Sequence, residues 1–188
     1  MNLIKFATVD NLLKNESEFH YDKIYEEEKT INGGRLKIGT SLDQTILLGD
    51  LLTCLDPPFF ILYVLIIDSD GYKSGRYESP VLETLDDVLS FLNNFKDYLE
   101  SDGRHHLWVG TIDGSGQLIY DQHDVIFAYG PIEQFKEKLS QEAFKEIEFD
   151  FPYPHVHNFH SENNNELKRL LNFWDWDRYD LEESDEYD

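Results

Sequence analysis

Nine consecutive apolar residues, Phe59 to Ile67, lie between Pro57-Pro58 and the turn sequence Asp68-Ser69-Asp70-Gly71. The run is rich in β-branched and aromatic side chains. It is about half the ~20 residues that a membrane-spanning helix needs, and it fits a central strand buried on both faces. Arg76 to Ser79, just beyond the turn, can pair beside it as a hairpin partner.

The apolar period changes on either side of this strand. Ser41-Leu42-Asp43-Gln44 reads as a capping box opening a helix, with Ile46, Leu47, Leu51 and Leu52 as its apolar face. Thr84-Leu85-Asp86-Asp87 opens the clearest helix: Leu85, Val88, Leu89, Leu92, Phe95 and Leu99 recur at spacings of three and four up to Gly103. From His105 the period is two. His105 to Ile112, the loop Asp113-Gly114-Ser115-Gly116 and Gln117 to Tyr120 predict a β-hairpin, and Val125 to Tyr129 continues it as a further strand. Pro131 suits the first turn of a helix carrying Ile132, Phe135 and Leu139 on one face.

A strand around Phe144 to Phe151 follows, then an extended passage forced by Pro152 and Pro154. A last helix, Glu162 to Phe173, turns Leu167, Leu170, Leu171 and Trp174 inward. The first thirty residues show no clean period, and Gly33-Gly34 reads as a turn. Strands and helices do not alternate as βαβ units. The expected fold is therefore α+β: a mainly antiparallel or mixed sheet packed with about four helices in a single layer, not a doubly wound one. With no internal repeat or Ser/Gly/Pro-rich linker, residues 1–174 are expected as one globular domain and residues 175–188 as an acidic C-terminal tail.

Charge constrains the partners. The chain carries 38 Asp and Glu against 16 Lys and Arg, a formal charge of −22, and eight of those acids fall in the last fourteen positions. Such an excess is repelled by phosphate backbones and anionic headgroups, which argues against nucleic acid and membrane and favours a basic protein. One cysteine, Cys54, excludes an intramolecular disulfide framework and fits a small core residue. Met1 to Asp10 lacks the apolar run of a secretory signal, so a cytoplasmic location is expected.

No motif assigns catalytic residues. Ser79, Ser115 and Ser140 lack a nucleophile elbow, and neither glycine cluster matches a phosphate loop. Asp68-Ser69-Asp70-Gly71 resembles the start of a calcium loop, but Ser79 stands where the bidentate acid is required. His105 and His106 open a strand and must point to opposite faces of its sheet. His155-Val156-His157-Asn158-Phe159-His160 is richer: in extended chain, positions 155 and 157 project to one side, compatible with two ligands of one metal. Asp121 and His123 add ligands only if the fold brings them close. The leading reading of these histidines is hydrogen-bonded or exposed side chains, with no metal and no cofactor.

At the C-terminus, residue type and charge point the same way. Trp174, Asp175, Trp176, Asp177, Tyr179 and Asp180 interleave aromatics with carboxylates, the former being common interface anchors and the latter steering groups for a basic partner. These six are the candidate partner-binding residues, against the alternative that the tryptophans pack on the core.

Leu107-Trp108, Tyr120-Asp121-Gln122-His123 and Tyr129-Gly130-Pro131, in a small acidic chain without catalytic motifs, resemble the immunity proteins of bacterial polymorphic toxin systems. The resemblance implies an interaction protein, not an enzyme, that neutralises one cognate toxin, commonly a basic nuclease. The alternative is a metal-dependent hydrolase using His155, His157 and His160, with His123 as a further ligand.

Overall fold

The computed structural model describes residues 3–13, 19–31, 33–40, 43–69 and 71–185; Ser41, Leu42 and Asp70 of the expected cap and turn lie outside them. In chain order the elements are β1 (Phe6–Thr8), α1 (Val9–Leu13), β2 (Ile24–Thr30), β3 (Gly33–Gly39), α2 (Gln44–Leu52), β4 (Phe59–Leu65), β5 (Gly75–Glu78) and α3 (Leu85–Ser101). They continue as β6 (His105–Thr111), β7 (Gln117–Tyr120), β8 (Val125–Tyr129), α4 (Ile132–Gln141), β9 (Lys145–Glu146), β10 (His155–His157), α5 (Asn164–Leu171) and β11 (Asp177–Tyr179).

Nine strands form one mixed sheet in the order β11-β5-β4-β6-β7-β8-β3-β2-β9, antiparallel except for the β2–β9 pair, and β1 and β10 form a separate two-stranded ladder. The fold is α+β, as the sequence implies. Strand β4 lies between β5 and β6, and six of its seven residues are buried, so its apolar run serves both faces.

One face of the sheet is closed by α2 to α5. Leu107, Val109, Leu118, Tyr120, Ile126 and Ala128 are fully buried there, in the same cluster as Leu51, Phe91, Phe95, Phe135 and Leu167. Each Leu, Ile, Val or Phe side chain among them contributes on the order of 1.5–3 kcal/mol by leaving water. Helix α3 begins as the spacing predicts: Thr84 Oγ1 accepts the Asp87 N–H, and Asp87 Oδ2 accepts the Thr84 N–H at 3.0 Å.

Several expectations change. Helix α2 buries Leu47, Leu48, Leu51 and Leu52, whereas Ile46 is half exposed, because the buried face also takes in Gln44, Thr45 and Gly49 and leaves Ile46 and Asp50, one turn apart, on the outward face. Residue Asp43 caps α2 in a left-handed conformation without a side-chain hydrogen bond, and Glu100 Oε1 instead accepts from Thr45 N at 2.9 Å. The predicted strand over Phe144–Phe151 shrinks to Lys145–Glu146, since only Lys145 N–H and Ile147 N–H reach β2 carbonyls or their neighbours, at Lys23 O and Tyr25 O. The chain then leaves the sheet edge, held by Phe149 N–H donating to Glu26 Oε2 at 2.9 Å and by Lys37 donating to Phe149 O. Strand β2 lies in the stretch without a clean period, and Gly33-Gly34, expected as a turn, opens its partner β3.

The segment set apart as a tail contributes β11, which pairs with β5 at the opposite edge. Among the described residues, no helix is long and apolar enough to cross a membrane.

Candidate functional site

The face of the sheet opposite α2 to α5 carries the side chains that alternate with the core positions. Register places Trp108 across from Ile119, Ile119 across from Phe127, and Phe127 across from Lys37, forming a row over four strands. Trp108, Ile119, Phe127 and Tyr129 are each half-buried. They floor a mostly apolar cleft of about 440 Å³.

Charged groups stand at its sides. Arg35 lies 4.2 Å from the centre of the Phe127 ring, donates to Tyr129 Oη at 2.8 Å, and pairs with Glu28 at 2.6 Å. At the other side Asp185 lines the cleft and pairs at 3.0 Å with Arg76, which lies 5.3 Å from the Trp108 ring. His106 also lines it, and burial lowers the pKa of that imidazole. Its neighbour His105 points the other way, stacked between Tyr63 and Tyr98, and burial holds it well below the ordinary range. The expected split of this pair across the sheet is thus present.

The end of the cleft is a stack of two rings. His123 lies 4.2 Å from Phe151, with planes 6° apart, and both line the cavity. Beyond His123 stand His155 and His157, and one ring nitrogen of each of the three lies within 4.8 Å of the others.

Local structure explains the convergence. The turn between β7 and β8 is tied by Asp121, whose Oδ1 accepts N–H groups from His123 (2.9 Å) and Val125 (3.2 Å) and whose Oδ2 accepts His123 Nδ1–H at 2.8 Å. Buried Lys5 pins the same turn from β1's side: it donates to Asp121 O at 2.7 Å and lies 3.6 Å from Asp124. Burial lowers the Lys5 pKa and raises Asp124 to about 6. Residue His157 is opposite Phe6 in the β1–β10 ladder and His155 is opposite Thr8. The Phe6 ring packs against all three imidazoles, at 5.3–5.6 Å between centroids. Gly103 admits this layer, because a Cβ there would stand 2.9 Å from Asn158 O and 3.1 Å from Lys5 O. Burial, with His123 and His155 alongside, lowers His157 to about 4 and leaves it neutral.

Of the predicted histidines, the structure brings His155, His157 and His123 together. His160 stands elsewhere: its Nε2–H donates to Ile4 O at 3.1 Å and its carbonyl accepts from Arg104. Of the six aromatic and acidic C-terminal residues, Trp174 stacks on Phe91 at 5.0 Å and Trp176 donates Nε1–H to Leu170 O at 3.1 Å, both half-buried on the core. Asp175, Asp177, Tyr179 and Asp180 are exposed, and none of the six lines the cleft. Cys54 is a partly buried neighbour of the core.

Sequence reasoning did not single out Ile119, Phe127 or Arg35. The available signal was that β6, β7 and β8 are apolar on both faces although helices account for only one. Comparison with protein-family models, curated proteins and solved structures finds no match.

Proposed function

We propose that this chain is an interaction protein of the immunity type, which neutralises a basic bacterial toxin such as a nuclease by docking it on the sheet face opposite α2 to α5. The observation that supports this is the row Trp108–Ile119–Phe127 with Tyr129, half-buried around a cleft large enough for an inserted side chain. Aromatic pockets of this kind hold the residues that dominate interface energies.

Charge selects the partner's sign. Among the described residues, ten lysines and arginines form ion pairs within the chain. The surface field therefore comes from the excess of carboxylates over these cations, as at the β2–β9 edge, where Glu27 and Glu146 share Lys136 and exposed Glu148 lies beside them. A toxin that binds phosphates presents lysines and arginines, which such a field attracts.

The hydrolase alternative draws on the histidine cluster. The cleft reaches that cluster only at the His123–Phe151 wall, so a molecule in the cleft faces the side of one imidazole.

The test is capture of a basic protein from bacterial lysate at low salt, its purification, and titration against this chain and a Trp108→Ala variant. Release by salt, loss of affinity in Trp108→Ala and suppression of the partner's activity support the reading. A partner bound equally by both proteins, or no basic partner at any salt, overturns it.

A further inference from the structure

The three imidazoles beside the cleft are oriented alike. His123 Nδ1–H donates to Asp121 Oδ2 at 2.8 Å, His155 Nδ1–H to Pro152 O at 2.8 Å, and His157 Nδ1–H to Gln122 O at 3.2 Å. Carboxylate and carbonyl oxygens only accept, so in the neutral form of each ring the proton sits on Nδ1 and the lone pair is left on Nε2. The Nε2 atoms of His123 and His157 are buried with no hydrogen-bond partner. Leaving a buried acceptor unmatched is destabilising, and here two such acceptors occur in one cluster.

The geometry points to a site for one divalent transition-metal ion held by Nε2 of His123, His155 and His157, with Asp121 as the positioning residue of His123. Three imidazoles with Nδ1–H tied to a carboxylate or carbonyl are the outer-shell pattern that fixes ring orientation and strengthens the ligand. Nitrogens around a tetrahedral ion at ~2.0–2.1 Å stand about 3.4 Å apart, and one nitrogen of each ring here lies within 4.8 Å of the others, so the cluster closes on an ion by ring movement. All-imidazole ligation suits zinc, copper, nickel or iron over magnesium or calcium, which take oxygen.

The ion would act as a clamp. His123 belongs to the turn joining two strands of the main sheet, whereas His155 and His157 belong to β10, outside that sheet. Bound metal would fix β10, and the passage bearing Phe151 just before it, against the sheet, and so set the wall of the cleft. The site does not depend on the partner reading, since an interaction protein and an enzyme can both hold it.

The test uses the full chain, stripped with a chelator and titrated with Zn²⁺ against a chromophoric competitor. One equivalent is expected to bind below micromolar concentration and to raise the melting temperature. X-ray absorption of the zinc-loaded wild type should show three imidazole nitrogens at ~2.0–2.1 Å. His155→Gln, at a half-buried ligand, should lose more than the ~10–100-fold that loss of an outer-shell partner costs, with the circular dichroism spectrum retained, whereas His160→Ala should bind as wild type. No binding at micromolar zinc, fewer than three imidazoles, or equal affinity in His155→Gln overturns the site; the absorption measurement needs no variant and decides the matter if His155→Gln fails to fold.

Discussion

Asp121 Oδ2 lies 2.8 Å from His123 Nδ1, and both side chains are more than nine-tenths buried. The carboxylate fixes the rotation and tautomer of the ring at once, while its other oxygen closes the turn through the N–H groups of His123 and Val125. Asp121→Asn keeps the oxygen that closes the turn but removes the charge behind the imidazole. Zinc affinity should fall ~10–100-fold with the fold retained, measured by chelator competition alongside circular dichroism. Unchanged affinity would separate Asp121 from the metal and leave it a turn residue.

A second buried pair holds the opposite end of β10's layer. Arg104 Nε and Nη2 bind Asp102 Oδ1 and Oδ2 at 2.7 and 2.8 Å, with both side chains essentially inaccessible, and Arg104 also donates to His160 O and Asn164 Oδ1. Removing the acid strands a guanidinium without its counter-charge. Asp102→Ala should cost about 3–5 kcal/mol in urea unfolding, far more than Asp175→Ala at an exposed carboxylate.

Much of the fold is legible from spacing, and the exceptions have physical causes. Helix α3 and strands β4 to β8 announce themselves because burial on a defined face imposes a period and caps or glycines end it. Strand β2 is concealed because Glu26, Glu27 and Glu28 fill its centre: Glu26 and Glu28 are matched by Lys37 and Arg35 across the ladder rather than by apolar cover. In the histidine site, the alternation of 155 and 157 is visible in the sequence, yet the choice of His123 over His160 depends on β7 and β8 carrying a turn to β10. No local pattern encodes that meeting. The cleft is hidden for a related reason: half-buried aromatics on a second face look like core until the helices are seen to lie on the first.

Trp174 distinguishes anchoring from recognition at the C-terminus. Its ring stacks on Phe91 and meets Trp176 at 5.2 Å, which docks the segment leading into β11. For a half-buried ring, Trp174→Ala should destabilise the chain by about 2 kcal/mol and speed hydrogen exchange along the β11–β5 ladder. If the substitution abolished partner binding while exchange stayed slow, Trp174 would be a recognition residue instead.

Acid should loosen the passage over the sheet through Glu26. Burial raises its pKa, but hydrogen bonds from Lys37 and the Phe149 N–H, with the Lys37 charge, outweigh burial and leave it below the ordinary value of 4.5. A depressed carboxylate stabilises the folded state above its unfolded pKa, and that contribution is lost as pH falls through the folded value. Wild type should therefore exceed Glu26→Gln in stability at neutral pH, with the gap closing below about pH 4.5 in paired urea titrations. A gap that persists undiminished into acid would assign the effect to side-chain shape.

Cleft and field should separate kinetically once the basic partner is in hand. The ring of Trp108 can contribute only after contact, so Trp108→Ala should leave the association rate nearly unchanged and raise the dissociation rate. Exposed Glu148, in the acidic cluster beside the Arg35–Glu28 pair, acts before contact. Glu148→Lys should slow association and flatten its dependence on ionic strength, because charges beyond a Debye length of ~8 Å are screened at physiological salt. Stopped-flow measurements at two salt concentrations resolve both arms. Should Trp108→Ala slow association as strongly as Glu148→Lys, with no change in dissociation, the cleft would not be where the partner's side chain is seated.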